Sequence, residues 1–169
     1  RGAWSQGFRA PNLVQVNDEG TTRSNTNADY VIGQAQVEKD IVDDLGDCAR
    51  GGIISYRSGT EDLVPEDSTS INLGLVLEPE FIPGLTITAD YWRVKQEGLV
   101  GTFGYDNAIA LDFLRRLNGS TNPNVVRLDP TQEEIDLFDG TGLAPAGQID
   151  YVLDDYLNLD SRVSKGWDF

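Results

Sequence analysis

The 169-residue chain contains no histidine and a single cysteine. Histidine is the commonest ligand of transition metals and the usual base beside a catalytic nucleophile, so both kinds of site are disfavoured. Cys48 has no partner for a disulfide within the chain, and we expect it to be free or paired with a cysteine elsewhere. The sequence therefore predicts no catalytic residues, no bound cofactor and no transition-metal site.

Positive charge is also scarce, since 13 lysines and arginines face 28 acidic residues and give a formal charge of −15. This balance excludes a nucleic-acid partner. The acids concentrate in residues 18–67, with a net charge of −8, and residues 97–160, with −9. The clusters at 38–47 and 154–160 lack the regular spacing of a calcium loop, so we favour solvated acidic loops, and calcium binding stays open as the weaker interpretation.

No run of about 18 apolar residues and no signal peptide is present, so the sequence predicts no membrane helix. The strands of a β-barrel alternate in polarity and are not detected by that test. The first residues, RGAWSQGF, have the character of the interior of a strand. We therefore expect the chain to be part of a longer protein.

The clearest pattern lies in residues 69–94, TSINLGLVLEPEFIPGLTITADYWRV. Apolar residues alternate with polar or small ones on both sides of a turn at 78–84 that holds two prolines and a glycine, which predicts a hairpin. Each arm is close to the ~9–11 residues that a tilted strand needs to cross a bilayer. One face would carry the candidate lipid-facing residues: Ile71, Leu73, Leu75, Leu77, Leu85 and Ile87.

Two interpretations fit this hairpin. In a barrel wall the apolar face meets lipid, and Phe81 at the turn with Tyr91 and Trp92 at the other edge would form interfacial aromatic girdles. In a soluble β-sandwich the same face would be the core.

The connections on either side of the hairpin are very long, at residues 18–66 and 101–160, whereas most connections in compact domains have about 4–6 residues. Long loops at one end and a tight turn at the other are typical of outer-membrane barrels. The second connection is expected to contain two short helices. One lies within DNAIALDFLRRLNG (106–119), and the other within residues 129–138, with Asp129 as N-cap and Pro130 as its first residue.

Four segments in order resemble the C-terminal part of the barrel domain of TonB-dependent outer-membrane receptors: WSQGFRAPNLVQVN (4–17), GTEDLVPEDSTSINLGLVLEP (59–79), GLTITADYWRVKQEGLVG (84–101) and SKGWDF (164–169). Residues 122–138 and 147–161 also resemble a loop of that family. The resemblance implies an all-β fold, an antiparallel transmembrane β-barrel segment with long extracellular loops that contain short helices. About four strands of a 22-stranded barrel would lie in this chain, and the plug domain would lie outside it.

The resemblance also implies a position for each segment in the outer membrane of a Gram-negative bacterium. In chain order these are a strand at 1–17, an extracellular loop at 18–66, a hairpin at 67–100 with its periplasmic turn at 78–84, an extracellular loop at 101–160, and the start of a further strand at 161–169. Segment 9–12 would mark the exit from the membrane, because Pro11 cannot donate to a strand ladder. Arg9 is expected to pair with Glu66, to meet an anionic sugar or lipid headgroup, or to remain a solvated charge.

The implied function is import of a scarce nutrient through a receptor with energy from the inner membrane. The expected partners are outer-membrane lipid, the protein's own plug domain, the TonB energy-transducing protein, and a small-molecule ligand such as a metal chelate or an oligosaccharide. Arg23, Tyr30, Tyr105 and Asp106 are candidate ligand-binding residues in the loops. The negative charge disfavours a highly anionic ligand.

Two alternatives from other classes remain at this point. A secreted β-sandwich could bind carbohydrate by stacking sugars on Trp4, Trp92 and Trp167. An enzyme acting through paired carboxylates is a third possibility, which we rank behind both because acid pairs mean little among so many acids.

Overall fold

The computed structural model describes residues 1–17 and 19–169. The chain divides into two compact units. The first, which we call the strand unit, comprises Arg1–Val16, Glu61–Gly101 and Leu157–Phe169, and the second, the lobe, comprises Asn17–Thr60 and Thr102–Tyr156. Within the described residues, none of the helices is long and apolar enough to span a membrane.

The elements follow one another along the chain as ten strands and four helices of the described residues. They are β1 (Gly2–Arg9), α1 (Leu13–Asn17), β2 (Thr21–Ala28), α2 (Tyr30–Glu38), β3 (Arg50–Arg57), β4 (Glu66–Leu77), β5 (Ile87–Glu97), β6 (Val100–Thr102), α3 (Tyr105–Arg116), β7 (Val125–Arg127), α4 (Gln132–Phe138), β8 (Ile149–Leu153), β9 (Tyr156–Asn158) and β10 (Arg162–Asp168).

The strand unit is built on a four-stranded sheet in the order β1-β4-β5-β10, and every neighbouring pair is antiparallel. β4 and β5 form the hairpin that the alternating pattern predicts, and Leu77 pairs with Ile87 next to the turn. Prolines at 79 and 83 cannot donate to a ladder, which confines the turn to the segment between the two strands.

The expectation of a first strand reaching residue 17 is wrong beyond Arg9, since β1 ends there and α1 follows. Pro11 stops the ladder. Asn12 and Gln15 then start the helix reciprocally: the Asn12 side chain accepts from the backbone N–H of Gln15, and the Gln15 side chain accepts from that of Asn12, each at 2.9 Å. This exchange satisfies two donors of a helix N-terminus.

The lobe has a mixed sheet in the order β2-β3-β8-β7, in which β3 and β8 run parallel. Three helices accompany it. Asp29 caps α2 by accepting from the backbone N–H of Val31. The structure corrects the predicted start of α4: its N-cap is Thr131, which forms a capping box with Glu134, so the assignment of Asp129 as N-cap is wrong. Thr131 and Glu134 each accept from the backbone N–H of the other, which fixes the start of the helix there.

Two clusters of buried side chains form the core of the lobe. One lies between the sheet and α3 and contains Ile53, Ala108, Ile109, Val125 and Val152. The other joins α2 to α4 and contains Val31, Ala35, Phe138 and Ala146. Gly33 of α2 allows close packing, because a Cβ at that position would lie 2.4 Å from Sγ of Cys48.

Candidate functional site

The sheet of the strand unit has two unlike faces, set by its register. Rows of directly paired residues cross the four strands, and alternate rows point to opposite faces. One face, which we call the leucine face, carries Ile71, Leu73, Leu75 and Leu77 of β4 and the residues paired with them. Leu73 is 54% exposed and Leu75 is 56% exposed, so nothing in the strand unit covers this face.

Five of the six candidate lipid-facing residues belong to this face. Leu77 pairs with Ile87, so the apolar row of β4 continues across β5. The sixth candidate, Leu85, lies in the turn just before β5 and is exposed as well. The structure therefore brings all six residues to one side of the hairpin or to its turn.

The opposite face, which we call the polar face, carries Asn72 and Asp90 together with Trp92. A Cβ on Gly166 would lie 2.8 Å from the Trp92 ring, so the indole covers that glycine on β10. The expectation that Trp92 joins Tyr91 in one aromatic girdle is therefore wrong. The ring that lies beside Tyr91 is Trp167, with centroids 5.1 Å apart.

The three tryptophans do not form one platform for sugars. Trp4 on β1 and Trp167 on β10 occupy opposite edges of the leucine face, and Trp92 points to the other face. The sandwich interpretation with these tryptophans as a shared stacking surface is not supported by this geometry.

The predicted pair between Arg9 and Glu66 is confirmed. Nη2 of Arg9 lies 2.5 Å from Oε1 of Glu66, whose side chain is only 8% exposed. The same oxygen accepts from the backbone N–H of Val100 at 2.8 Å. Glu66 thus joins three segments at the end of β1, where segment 9–12 leaves the sheet.

A buried ionic cluster organises the lobe around Asp112 of α3, whose side chain is fully buried. Its Oδ2 accepts from Nε of Arg116 and Nε of Arg127, both at 3.0 Å, and its Oδ1 accepts from the backbone N–H of Asn122 at 2.9 Å. Arg127 also forms a bidentate pair with Asp29, at 2.6 and 2.9 Å. Such charge-assisted, fully paired groups hold α2, α3 and β7 in one arrangement.

The pKa of Arg127 follows from this arrangement. Burial acts to lower the pKa, but the hydrogen bonds and charges of Asp29 and Asp112 outweigh it, so the pKa is raised above the ordinary arginine value. The folded lobe therefore favours the charged form of Arg127.

A second cluster joins the two chain segments of the lobe. Nη2 of Arg57, at the end of β3, lies 2.5 Å from Oδ2 of the buried Asp154, which follows β8. Oδ1 of Asp154 accepts from the backbone N–H of Gly104 at 2.7 Å, and Nη2 of Arg57 donates to Thr102 at 3.1 Å. The guanidinium also lies 5.6 Å from the ring centre of Tyr156. These contacts fix the start of α3.

The lobe contains a pocket of about 260 Å³ between α2 and the start of β3. Its polar lining residues are Asn27, Asp29, Gln36, Arg50 and Gln148. The backbone of residues 51–52 borders it with open space where side chains would stand. The pocket offers amide and guanidinium donors with carbonyl acceptors, which suits a small polar group.

The lobe also concentrates the negative charge, with 18 acidic against 7 basic residues and a formal charge of −11. Among the described residues, no group of three or more His, Cys, Asp or Glu side chains is arranged to hold a metal ion.

The four candidate ligand-binding residues fall into two pairs. Arg23 on β2 and Asp106 in the first turn of α3 are exposed. Tyr30 and Tyr105 are half-buried and pack against the first core cluster, and the Tyr30 ring lies 6.3 Å from that of Phe113. None of the four lines the 260 Å³ pocket.

The sequence interpretation overlooked the two ionic clusters and the pocket. One signal was available, because Asp112 stands among Ile109 and Phe113 on the apolar stripe of a predicted helix. An acid at a core position indicates a buried partner. Nothing in the local pattern around Arg127 or Asp154 distinguishes them from surface charges.

Cys48 is a free, buried thiol. Burial raises its pKa, and the nearby carboxylates Asp44, Asp47 and Asp29 act in the same direction. Both effects favour the protonated thiol over the thiolate, which is the reactive form.

The solved structures that match the chain include three receptors. The siderophore receptor PirA from Pseudomonas aeruginosa is 17% identical with a TM-score of 0.43, the ferric enterobactin receptor PfeA in complex with BCV-L6 is 16% identical with 0.47, and PirA from Acinetobacter baumannii is 12% identical with 0.46. Each match covers 98% of this chain but only 20%, 16% and 17% of the respective receptor. The chain thus spans at most about a fifth of their length.

Among curated proteins, no sequence matches the chain significantly. The family model described as "TonB dependent receptor-like, beta-barrel" matches residues 1–169, which is the whole chain. This match confirms the resemblance that the strand and turn motifs suggested. The chain belongs to the TonB-dependent receptor β-barrel family.

Proposed function

We propose that this chain forms part of the wall and part of the outer ligand-capturing surface of an energy-coupled importer. As a member of its family the protein lies in the outer membrane of a Gram-negative bacterium. The leucine face meets lipid, the polar face meets the barrel interior and its plug domain, and the turn at 78–84 lies in the periplasm. The lobe lies outside the cell, and no catalysis is assigned to it.

The observation that carries this proposal is the absence of a core in the sheet. Among the described residues, every buried hydrophobic residue belongs to the lobe. A sheet that leaves a row of leucines half exposed would be unstable in water. In a membrane, the hydrocarbon chains of the lipid cover these side chains. β4 and β5, with 12 and 11 residues, are also long enough to cross a bilayer.

Nitroxide labels on the full-length receptor in bilayers test the wall assignment. A label at Leu73 should be relaxed strongly by oxygen, which concentrates in lipid, and weakly by a water-soluble nickel chelate. A label at the neighbouring Asn72, on the polar face, is the matched control and should lack this preference for oxygen. Preferential contact with the nickel chelate at Leu73 would overturn the lipid-facing assignment.

The lobe is proposed to capture the small-molecule ligand. Exposed Arg23 and Asp106, and the pocket beside Arg50, offer polar contacts, whereas Tyr30 and Tyr105 support these surfaces through the core. The formal charge of −11 repels a strongly anionic solute at long range. A neutral or cationic metal chelate or an oligosaccharide therefore fits best, and its import depends on TonB.

Uptake assays in cells with this protein as their sole TonB-dependent receptor test the capture step. A ferric trishydroxamate chelate that carries positive charge should be taken up faster than a trianionic triscatecholate chelate, and loss of TonB should abolish uptake. If the ligand is an oligosaccharide, neither chelate enters and a labelled glycan panel identifies it. Unchanged affinity after replacement of both lobe segments, 17–60 and 102–156, would refute ligand capture by the lobe.

A further inference from the structure

Two cations face each other on the leucine face without a counterion. Arg93 of β5 and Lys165 of β10 are directly paired in the register. They share a row with Ile71 and Trp4, so all four side chains point to the same side. Among the described residues, no carboxylate lies within ion-pair distance of either cation. Like charges opposite each other destabilise a sheet.

This lack of a counterion is not caused by a shortage of acids, since the chain has 28 of them. In the next row along β5, Lys95 lies 2.6 Å from Glu97. On the polar face, Arg1 pairs with Asp90 and Arg9 with Glu66. Arg93 and Lys165 are therefore left open to an anion that the chain itself does not supply.

The row next to this pair, toward the turn, is apolar and grooved. Leu73, Tyr91 and Trp167 are paired across it, and small Ala89 follows toward the turn. A groove of about 640 Å³ runs over Ala89 and is bordered by Leu73, Leu75, Tyr91 and Trp167. Such an apolar surface accepts an acyl chain.

The position of the pair along the strand fits a headgroup. Arg93 lies six residues beyond Ile87, the first residue of β5. At ~3.4 Å per residue this is roughly 20 Å along the strand. In a strand tilted by ~40°, this length corresponds to a rise of about 15 Å from Ile87 through the ~25 Å apolar band. The two cations therefore lie in the outer half of the membrane, and their long side chains extend to the headgroups.

We propose that Arg93 and Lys165 bind the phosphate of a phosphorylated glycolipid in the outer leaflet, with one of its acyl chains in the groove over Ala89. This inference rests on the proposed lipid-facing wall. A phosphate oxygen pair accepts from the arginine fork, and the lysine adds a second charge. The phosphate neutralises the two cations that otherwise repel each other.

The test uses the full-length receptor, delipidated in neutral detergent and titrated with bisphosphorylated lipid A, monophosphorylated lipid A or phosphatidylcholine, with bound lipid counted by native mass spectrometry. The double variant Arg93→Ser/Lys165→Ser removes the proposed site. Arg162→Ser is the matched control, because it removes an exposed charge of the same strand as Lys165 from the polar face. Arg93→Lys retains the charge and loses the fork.

We expect the double variant to bind bisphosphorylated lipid A at least tenfold more weakly, Arg93→Lys to be intermediate, and Arg162→Ser to match the wild type. Inorganic phosphate at about 10 mM, in large excess over the lipid, should not displace the lipid, because phosphate has no acyl chain. Equal binding of lipid A and phosphatidylcholine by the wild type, or an equal loss in Arg162→Ser, would overturn the proposal. Displacement by inorganic phosphate would reassign the pair to a free anion.

The two proposals fail separately. A label at Leu73 that contacts the nickel chelate would refute the wall itself. A label that contacts lipid, combined with no preference for phosphorylated lipid, would leave the wall intact and refute only the headgroup site. Folding of each variant is verified by the heat-dependent electrophoretic shift of the intact barrel.

Discussion

The strand unit and the lobe are made from one chain but follow opposite packing rules. The lobe buries Ile109, Val152 and Val31 almost completely, as a domain in water does. In the strand unit, the large apolar residues of the leucine face stay about half exposed. The difference supports the proposal that the two units meet different solvents, water for the lobe and hydrocarbon for the leucine face.

Their ion pairs differ in the same way. In the lobe, Asp112 and Arg127 are almost completely buried and fully hydrogen-bonded. In the strand unit, Arg1 pairs with Asp90 while remaining largely exposed, and such pairs contribute little. Loss of one partner should therefore matter more at Asp112 and Arg127 than at the exposed pair of Arg1 and Asp90.

The largest expected effect is the replacement of Arg127 by methionine. It removes the counterion of the half-buried Asp29 and one of the two arginines paired with the buried Asp112, which should cost about 3–5 kcal/mol and unfold the lobe while the barrel stays intact. Hydrogen exchange of the full-length receptor should show loss of protection in α3 and β8 and no change in β4 and β5. Arg115→Met, which replaces an exposed arginine of α3, is the control. Equal effects of the two variants would contradict the role of the cluster.

A pair of truncations compares the two units directly. Ile109→Ala creates a cavity in the lobe and should destabilise it by about 2–5 kcal/mol. Leu75→Ala leaves no cavity within the protein, because lipid fills the space, and should cost clearly less. Chemical denaturation monitored by segment-resolved hydrogen exchange measures both changes. A larger loss from Leu75→Ala would mean that the leucine face has a protein partner.

Insertion of a charge distinguishes the two faces of the sheet. Leu73→Arg should destabilise the barrel in bilayers by about 2–4 kcal/mol if it lies near the middle of the membrane. Asn72→Arg, one position away on the polar face, should have a much smaller effect. Unfolding of the receptor from liposomes in guanidinium measures the difference. Equal costs at the two positions would show that the faces are not separated by lipid and water.

The smallest effect concerns Cys48, as a probe of side-chain burial in the lobe. Burial and Asp44 raise the pKa of its thiol, so the thiolate fraction at pH 7–8 is lower than in the unfolded chain. Maleimide should therefore react at least ~10-fold more slowly with the folded receptor, and the rate should rise with pH and on unfolding in urea. The variant Cys48→Ser/Ser120→Cys, with an exposed thiol in the lobe, should react quickly. Rapid labelling of folded wild type would show that the lobe is open.

The hairpin could be predicted from the sequence because its determinants are local. Alternation along β4 and β5 and the prolines of the turn specify it without reference to the rest of the chain. The Arg9–Glu66 pair was also predictable, since antiparallel strands bring their opposite ends together. The start of α4 was misplaced by two residues, because two capping candidates, Asp129 and Thr131, stand close together.

The lobe was not predictable in the same way. β2 reads TTRSNTNA, a polar strand without alternation, so residues 18–66 have the composition of a loop. The neighbouring strand, β3, is held in the sheet by long-range contacts. It pairs with β8, about 97 residues away, where Ile54 lies opposite Tyr151. The buried charges Asp112, Arg127 and Asp154 are recognisable only once these distant segments meet.

The contrast between the two units is tested most directly by photolabelling from within the membrane. A phospholipid with a diazirine in its acyl chain is activated in bilayers that hold the full-length receptor, and the modified peptides are mapped by mass spectrometry. We predict insertion into residues 71–77 and 85–91 on the leucine face and none into α3 of the lobe. Labelling of α3 at the level of the leucines, or no labelling of Leu73 and Leu75, would contradict the account.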